Sequence, residues 1–345
     1  MIKIGILGCG KIAQVRHIPE YAANPDCQLV GFYNPTKSRA EDMAAKYGGL
    51  AYDTAEELLA NPEIDAVSVC AANYAHAALS IQALKAGKHV LCEKPMATTL
   101  ADCEAMVAAA KANGRRLLID QNQRIAPAHR RAKQLLDSGA LGRVITFRSV
   151  FGHKGPEMWS IDKSANTWFF KKNAAAFGSM ADLGIHKIDL MRYLVGGRIV
   201  SVYSDMAVLD KKFSDGTPIE VDDNSVEVFR FDNGAMGTVT TSWTHYGEEC
   251  NSSVLYCEKG ILKLYDDPDY SLKIVYADGR HEDLALDRLQ TNDDAQQASS
   301  GVIDLFVDAV ERDVPSVLDA EDVLESMRVV FACLRSAEEG KKILL

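Results

Sequence analysis

The first third of the chain repeats one pattern: a short, almost wholly apolar run, a turn, then a stretch with apolar positions three and four apart. Ile2–Leu7, Gln28–Tyr33, Ala66–Cys70, His89–Cys92 and Arg116–Ile119 read as strands, with helices over Ile12–Ala22, Lys37–Lys46, Ala75–Ala86 and Leu100–Ala112 between them. Such alternation implies a parallel sheet with helices on both faces, and strands buried on both faces are apolar throughout. After Arg124 the pattern changes. A helix over Pro127–Ser138 and a strand over Val144–Phe151 lead to an irregular stretch over Gly152–Gly178 and a helix over Met180–Leu194. From Val200 to Tyr276 half-polar strands are punctuated by Asp232-Asn233-Gly234, Glu258-Lys259-Gly260 and Asp278-Gly279. These are hairpin turn sequences, and they predict a large antiparallel meander. Helices over Gly301–Arg312 and Ala320–Glu339 follow. The prediction is an α/β protein with a doubly wound parallel domain over residues 1–122. An α+β domain over residues 123–345 carries a large, mostly antiparallel open sheet.

Composition narrows the class. At 345 residues the chain is too long for one ordinary core, and 47% hydrophobic with 25% charged residues describes a globular enzyme. No apolar run approaches the ~20 residues that cross a bilayer. Met1-Ile2-Lys3-Ile4-Gly5-Ile6-Leu7 runs straight into a glycine turn, without the layout of a cleavable leader. The eight cysteines form no Cys-x-x-Cys pair and read as reduced thiols of a cytoplasmic protein. A net charge of −10, with no Lys/Arg-rich stripe, argues against nucleic acid as a partner.

Chemistry enters at the first turn. Gly8-Cys9-Gly10-Lys11-Ile12-Ala13 is Gly-x-Gly-x-x-Ala between a predicted strand and a predicted helix, the dinucleotide-binding arrangement of a Rossmann fold. Gly8 serves the tight turn, Gly10 lets a pyrophosphate approach the backbone, and Ala13 lets the helix sit close to the strand. At the end of the second strand an NAD-selective site carries an acid for the ribose hydroxyls. Here the residue is Asn34, followed by Thr36, Lys37 and Arg39. The missing carboxylate and the two cations tilt the reading toward NADP over NAD. The alternative is a solvated helix start with Thr36 as its N-cap.

Two further stretches stand out. Cys92-Glu93-Lys94-Pro95 ends the fifth strand, at the sheet edge where such folds bind ligands. Asp182-Leu183-Gly184-Ile185-His186 lies in a helix, and a spacing of four puts Asp182 and His186 on one face, with Asp189 a turn further on. By itself that pair reads more readily as structural hydrogen bonding than as catalysis. No third and fourth ligand stands at metal-site spacing, so no metal is expected.

With these motifs the chain resembles the glucose–fructose oxidoreductase, inositol dehydrogenase and rhizopine-catabolism family (Gfo/Idh/MocA) over essentially its whole length. The resemblance rests on Gly8-x-Gly10-x-x-Ala13, Ala72-Asn73-Tyr74-Ala75-His76, Ala86 to Pro95 and Ser138-Gly139-Ala140-Leu141-Gly142. Asp182-x-Gly184-x-His186 and Ser336-Ala337-Glu338-Glu339-Gly340 complete it. It implies oxidation of a sugar, cyclitol or other polyol hydroxyl by NAD or NADP, with Lys94 and His186 as the catalytic pair and Asp182 orienting the substrate. Gly8, Gly10, Lys11, Ile12, Ala13, Asn34, Thr36, Lys37, Arg39, Ala71, Asn73, His76, Glu93 and Lys94 would line the cofactor. Arg124, His153 and Trp168 are further substrate candidates. Trp243, His245 and Tyr246 read as sheet packing or a subunit interface. The chain departs from the family where a glycine run precedes the Asp: Ala176-Phe177-Gly178-Ser179-Met180-Ala181 keeps only Gly178. The family also contains NAD-dependent glycosidases that oxidise transiently, and nucleotide-sensing regulators. It implies a homodimer or homotetramer built through the C-terminal sheet.

Overall fold

The computed structural model describes residues 1–161, 163–288 and 299–345. The chain divides into two compact units, one holding Met1–Asn122, Asn173–Ala175 and the segment ending at Glu325. The other holds Gln123–Lys172, the large sheet from Ala176 onward, and Ser326–Leu345. Where the sequence pattern divides the chain once, at residue 122, the C-terminal half of the chain returns a segment to the first unit.

In the first unit six parallel strands stand in the order β3-β2-β1-β4-β5-β6: β1 Ile2–Leu7, β2 Cys27–Tyr33, β3 Leu50–Tyr52, β4 Ala66–Val69, β5 His89–Cys92 and β6 Leu117–Ile119. That order places the crevice of a dinucleotide-binding sheet at the ends of β1 and β4, where the chain reverses direction across the sheet. β4 is buried at every position and β1 at all but Lys3, as a sheet covered on both faces requires. The helices up to Asn122 are α1 Ile18–Ala23, α2 Lys37–Tyr47, α3 Ala55–Ala60, α4 His76–Lys85 and α5 Leu100–Asn113, and the segment ending at Glu325 adds another over Val302–Glu311. β3 and α3 were not predicted. α3 is short but carries a complete capping box, with Thr54 Oγ1 accepting from the Glu57 N–H.

Beyond α5 the chain forms α6 Pro127–Asp137, β7 Val144–Gly152, the one-turn α7 Lys172–Ala175, whose last three residues belong to the first unit, and, in the second unit, α8 Ile185–Val195, β8 Ile199–Ala207, β9 Asn224–Phe231, β10 Met236–Ser242, β11 Ser253–Cys257, β12 Gly260–Leu264, β13 Leu272–Tyr276, β14 His281–Leu284 and β15 Ile343–Leu344. The predicted meander is not continuous. The nine strands run β14-β13-β12-β11-β7-β10-β9-β8-β15, with β10 parallel to β7 and every other pair antiparallel. β7, formed first along the chain, takes the centre and receives one group of hairpins on each side. β9 shows the alternation: Ser225, Glu227, Phe229 and Phe231 face inward while Val226, Val228 and Arg230 face outward. The inner face packs on α8, which is buried almost all round, so its apolar positions Ile188, Met191 and Leu194 and its polar ones are alike enclosed.

Candidate functional site

The turn after β1 is tight and leaves an open backbone face. Gly8 has φ +103°, and a Cβ there would lie 2.7 Å from the Cys70 carbonyl group. A Cβ on Gly10 would meet nothing nearer than the Cys70 oxygen at 3.8 Å, so the backbone face stays open to a ligand. Hydrogen bonds from Gly8 N–H to Tyr33 C=O (2.8 Å) and from Cys70 N–H to Leu7 C=O (2.8 Å) fix the turn. Lys11 and Ile12 begin the helix, which then makes one π-helical turn over Ala13–His17 before α1. These residues fit a bound dinucleotide, whose pyrophosphate would face the Gly8–Gly10 backbone.

Asn34 is turned into the turn itself: its Oδ1 accepts from Cys9 N–H (3.0 Å) and its Nδ2 donates to Thr36 C=O (3.0 Å). Thr36 holds the N-cap position of α2, although its hydroxyl makes no capping bond. Lys37 pairs with Asp53, and Arg39 is half-buried.

At the end of β5 the Lys94–Pro95 peptide is cis. His76 spans this loop and the end of β4: Nδ1 lies 2.8 Å from Pro95 O and Nε2 3.0 Å from Ala71 O. Asn73 donates to Ala175 C=O (3.1 Å). Glu93 is buried with both oxygens engaged, Oε1 3.0 Å from His17 Nε2 and Oε2 accepting from Lys94 N–H (3.1 Å). Asp120 Oδ2 stands 3.3 Å from the same His17 nitrogen. His17, Glu93 and Asp120 form the three-residue donor cluster among the described residues, a feature the sequence did not single out.

In the second unit the spacing of Asp182 and His186 is carried by a second π-helical turn over Met180–Gly184, closed by Ile185 N–H on Met180 C=O. The helix expected there is therefore not a regular α-helix throughout: its first turn is π. Single π turns recur at functional sites. Both residues are buried. Asp182 Oδ2 accepts the indole N–H of fully buried Trp243 (3.0 Å) and lies 3.5 Å from His153 Nε2. Phe151 holds the rings of His153 and His186 at centroid distances of 6.0 Å each. Trp243, read from sequence as sheet packing, is thus the residue that fixes the Asp182 carboxylate.

Asp222 supports the start of this helix. Its carboxylate accepts from Gly178 N–H (2.7 Å), Ser179 Oγ–H (2.7 Å) and Met180 N–H (3.0 Å). The one glycine left from the family's run is explained here, because a Cβ on Gly178 would lie 1.8 Å from the Asp222 carbonyl oxygen. Gly178→Ala is therefore expected to destabilise the fold by about 3 kcal/mol, read as a lower midpoint in urea. An unchanged midpoint would remove this account of the helix start.

Two further sequence candidates have the following surroundings. Arg124 makes a buried two-point ion pair with Asp189, Nε to Oδ2 at 2.6 Å and Nη2 to Oδ1 at 2.5 Å, so its guanidinium is committed to α8. Trp168 stacks on Phe169 at 3.9 Å, half-buried.

Lys187, next to His186, is wholly buried. Its Nζ donates to Asn251 C=O (3.2 Å) and lies 5.7 Å from the Phe151 ring centre. Burial pushes its pKa down to about 7. Between that value and the ordinary lysine value, the unfolded chain binds a proton that the folded chain does not, so stability rises with pH there. Lys187→Met removes this slope. Urea titrations at pH 7 and pH 9 are expected to show the variant gaining on the parent at pH 7, with the gain shrinking at pH 9. A gain independent of pH would contradict the burial argument.

Comparisons with known proteins agree with the geometry. Residues 2–121 match the model of the GFO_IDH_MocA oxidoreductase family with an NAD-binding Rossmann fold, and residues 129–263 match the GFO/IDH/MocA C-terminal domain. The levoglucosan dehydrogenase of Pseudarthrobacter phenanthrenivorans is 31% identical over 275 residues, 71% of this chain and 68% of that protein. The D-glucoside 3-dehydrogenase of Escherichia coli is 27% identical over 357 residues, 100% and 97% of the two chains. The crystal structure of aldose–aldose oxidoreductase from Caulobacter crescentus, complexed with glycerol, superposes with a TM-score of 0.85 at 27% identity, covering 100% and 99%.

Proposed function

The chain belongs to the Gfo/Idh/MocA family of oxidoreductases with an NAD-binding Rossmann fold, and within it we propose a dehydrogenase acting on a secondary hydroxyl of a sugar or cyclitol. The observation that carries this reading is the buried Asp182 carboxylate, held by the Trp243 indole beside His153 and one π turn before His186. The names of the relatives supply the substrate class.

Bound nicotinamide supplies the hydride acceptor or donor. The protein must manage the hydroxyl proton, because an unactivated alcohol does not ionise at neutral pH. We assign His186 as the base, an imidazole whose ordinary pKa of about 6.5 suits transfer near neutrality. The Lys94 ammonium stabilises the developing alkoxide. Asp182, fixed by Trp243, orients a substrate hydroxyl. Gly8, Gly10, Ala71, Asn73, His76 and Glu93 serve the cofactor side directly or through the loops they brace. Arg124 is assigned to structure. The test is a screen of sugars and cyclitols for reduction of NAD and NADP, and absence of turnover on every polyol would remove the assignment.

For the cofactor we favour NAD. Asn34 is occupied by Cys9 and Thr36, and Lys37 is already neutralised by Asp53, so a 2′-phosphate gains less there than the bare sequence suggests. The expected result is a higher kcat/KM with NAD than with NADP.

The outer face of the large sheet exposes Tyr203, Val226, Val228, Met236 and Tyr256. An open apolar sheet face is a liability unless covered. We assign it to a homo-oligomer, testable by light scattering on the parent and on Val226→Lys/Val228→Lys. All eight cysteines are unbridged, which supports a reducing, cytoplasmic setting.

A further inference from the structure

We propose that His17 is a positioning residue: its imidazolium bridges the buried carboxylates of Glu93 and Asp120 and thereby fixes the loop that presents Lys94. This rests on the assignment of Lys94 to the substrate alkoxide.

Three segments meet at the ring. His17 closes the π turn after the glycine loop, Glu93 directly follows β5, and Asp120 directly follows β6. All lie at the carboxyl ends of the parallel strands, the edge that binds ligands in this fold. His17 is fully buried, and Glu93 and Asp120 are 6% and 2% exposed. Nε2 faces Glu93 Oε1 at 3.0 Å and Asp120 Oδ2 at 3.3 Å, while Nδ1 lies 3.1 Å from Ser68 Oγ, itself 3.0 Å from the Tyr21 hydroxyl.

Charge decides the protonation. Two carboxylates withdrawn from water need a cation between them, and breaking such a set is costly. The Ser68 and Tyr21 hydroxyls can turn to suit either state of Nδ1, so it is the two carboxylates at Nε2 that call for the imidazolium. Cys70, Glu20, Arg16 and Lys94 also face the cluster. Burial alone would push the His17 pKa down, but the Asp120 and Glu93 carboxylates beside it outweigh burial and leave the group well above its ordinary value. Glu93 is held at about 2 by His17, against burial that would raise it.

The consequence runs outward. Glu93 Oε1 is anchored on His17, so its Oε2 sits where the Lys94 N–H can donate to it. Without the clamp Glu93 must turn toward water or take up a proton, and Lys94 shifts with it. A displacement of about 1 Å in a substrate-facing group costs on the order of 10²-fold in rate.

The same donors also suit a divalent cation, for which the ring would have to lose its Nε2 proton. The experiment separates the two. Nitrogen-15 spectra of the histidine rings are recorded on the full-length protein at pH 8, with metal content measured in parallel. One ring is expected to remain doubly protonated, its signal absent in His17→Gln and shifted in Asp120→Asn, so that assignment survives if the first variant does not fold. His17→Gln is expected to lower kcat about 10²-fold while the sugar KM stays within about twofold, since the residue acts through Lys94. A neutral His17 ring, one equivalent of tightly held metal, or an unchanged kcat in the folded variant overturns the proposal. If the parent protein oxidises no polyol, the assignment of function fails, and the ring spectra still decide the clamp.

Discussion

His186→Ala is expected to lower kcat/KM for the best sugar or cyclitol substrate by about 10²–10⁴-fold, the usual contribution of a positioned general base. The imidazole is buried, with the Phe151 ring tilted beside it at 6.0 Å and the Asp182 carboxylate one turn before it in the chain. Alanine removes the proton acceptor while leaving the glycine cradle of the first unit untouched. NADH binding, followed by fluorescence, should therefore match the parent. Loss of NADH binding together with turnover would mean that the variant is misfolded or that His186 belongs to the cofactor site. Turnover within a few-fold of the parent would remove His186 from the mechanism.

The largest effect on stability is expected at Arg124. The sequence offers it as a substrate contact, yet its guanidinium and the Asp189 carboxylate form a buried two-point pair, and Ser326 Oγ donates to the same carboxylate at 2.6 Å. Removing one member strands a charge away from water, at a cost of about 3–5 kcal/mol. For a chain of this size that corresponds to a fall in Tm of about 4–7 °C. Arg124→Met should show it by scanning calorimetry, and Arg124→Met/Asp189→Leu should recover much of it, because the double change leaves no isolated charge. A substrate contact behaves oppositely: KM rises, Tm holds, and the second change rescues nothing.

The two predictions mark where the sequence is legible. β1, β4 and β5 could be read because strands buried on both faces are apolar at nearly every position, and Gly8 and Gly10 mark the turn between strand and helix. β3 spans three residues with Leu50 exposed, too short for a period to register. α3 lacked length, but Thr54-x-x-Glu57 was a readable signal. Strand order was not readable: β10 takes β7 as its parallel partner, a pairing no hairpin turn announces.

The same limit governs the site. Asp182 and His186 lie close in sequence and could be found as a motif. Their supports come from far along the chain, Trp243 from 61 positions away and Asp222 from 44 positions beyond Gly178. Arg124 and Asp189 are 65 positions apart, and His17 and Glu93 76. An isolated Trp, Asp, Arg or His carries no local pattern, so each became meaningful only once folding had supplied its partner. The two π turns were hidden for a related reason. Ala13–His17 and Met180–Gly184 have ordinary helical composition, so no residue pattern announces the wider turn.

The most direct test of the central claim is to incubate the protein with NAD and a panel of glycosides, anhydrosugars and inositols. Absorbance of NADH would be followed together with mass spectrometry of the carbohydrate. At least one ring-hydroxyl compound is predicted to lose two hydrogens, with one NADH formed per ketone, and His186→Ala is predicted to abolish both signals. Protein that binds NADH but reduces no cofactor with any member of the panel would contradict the assignment.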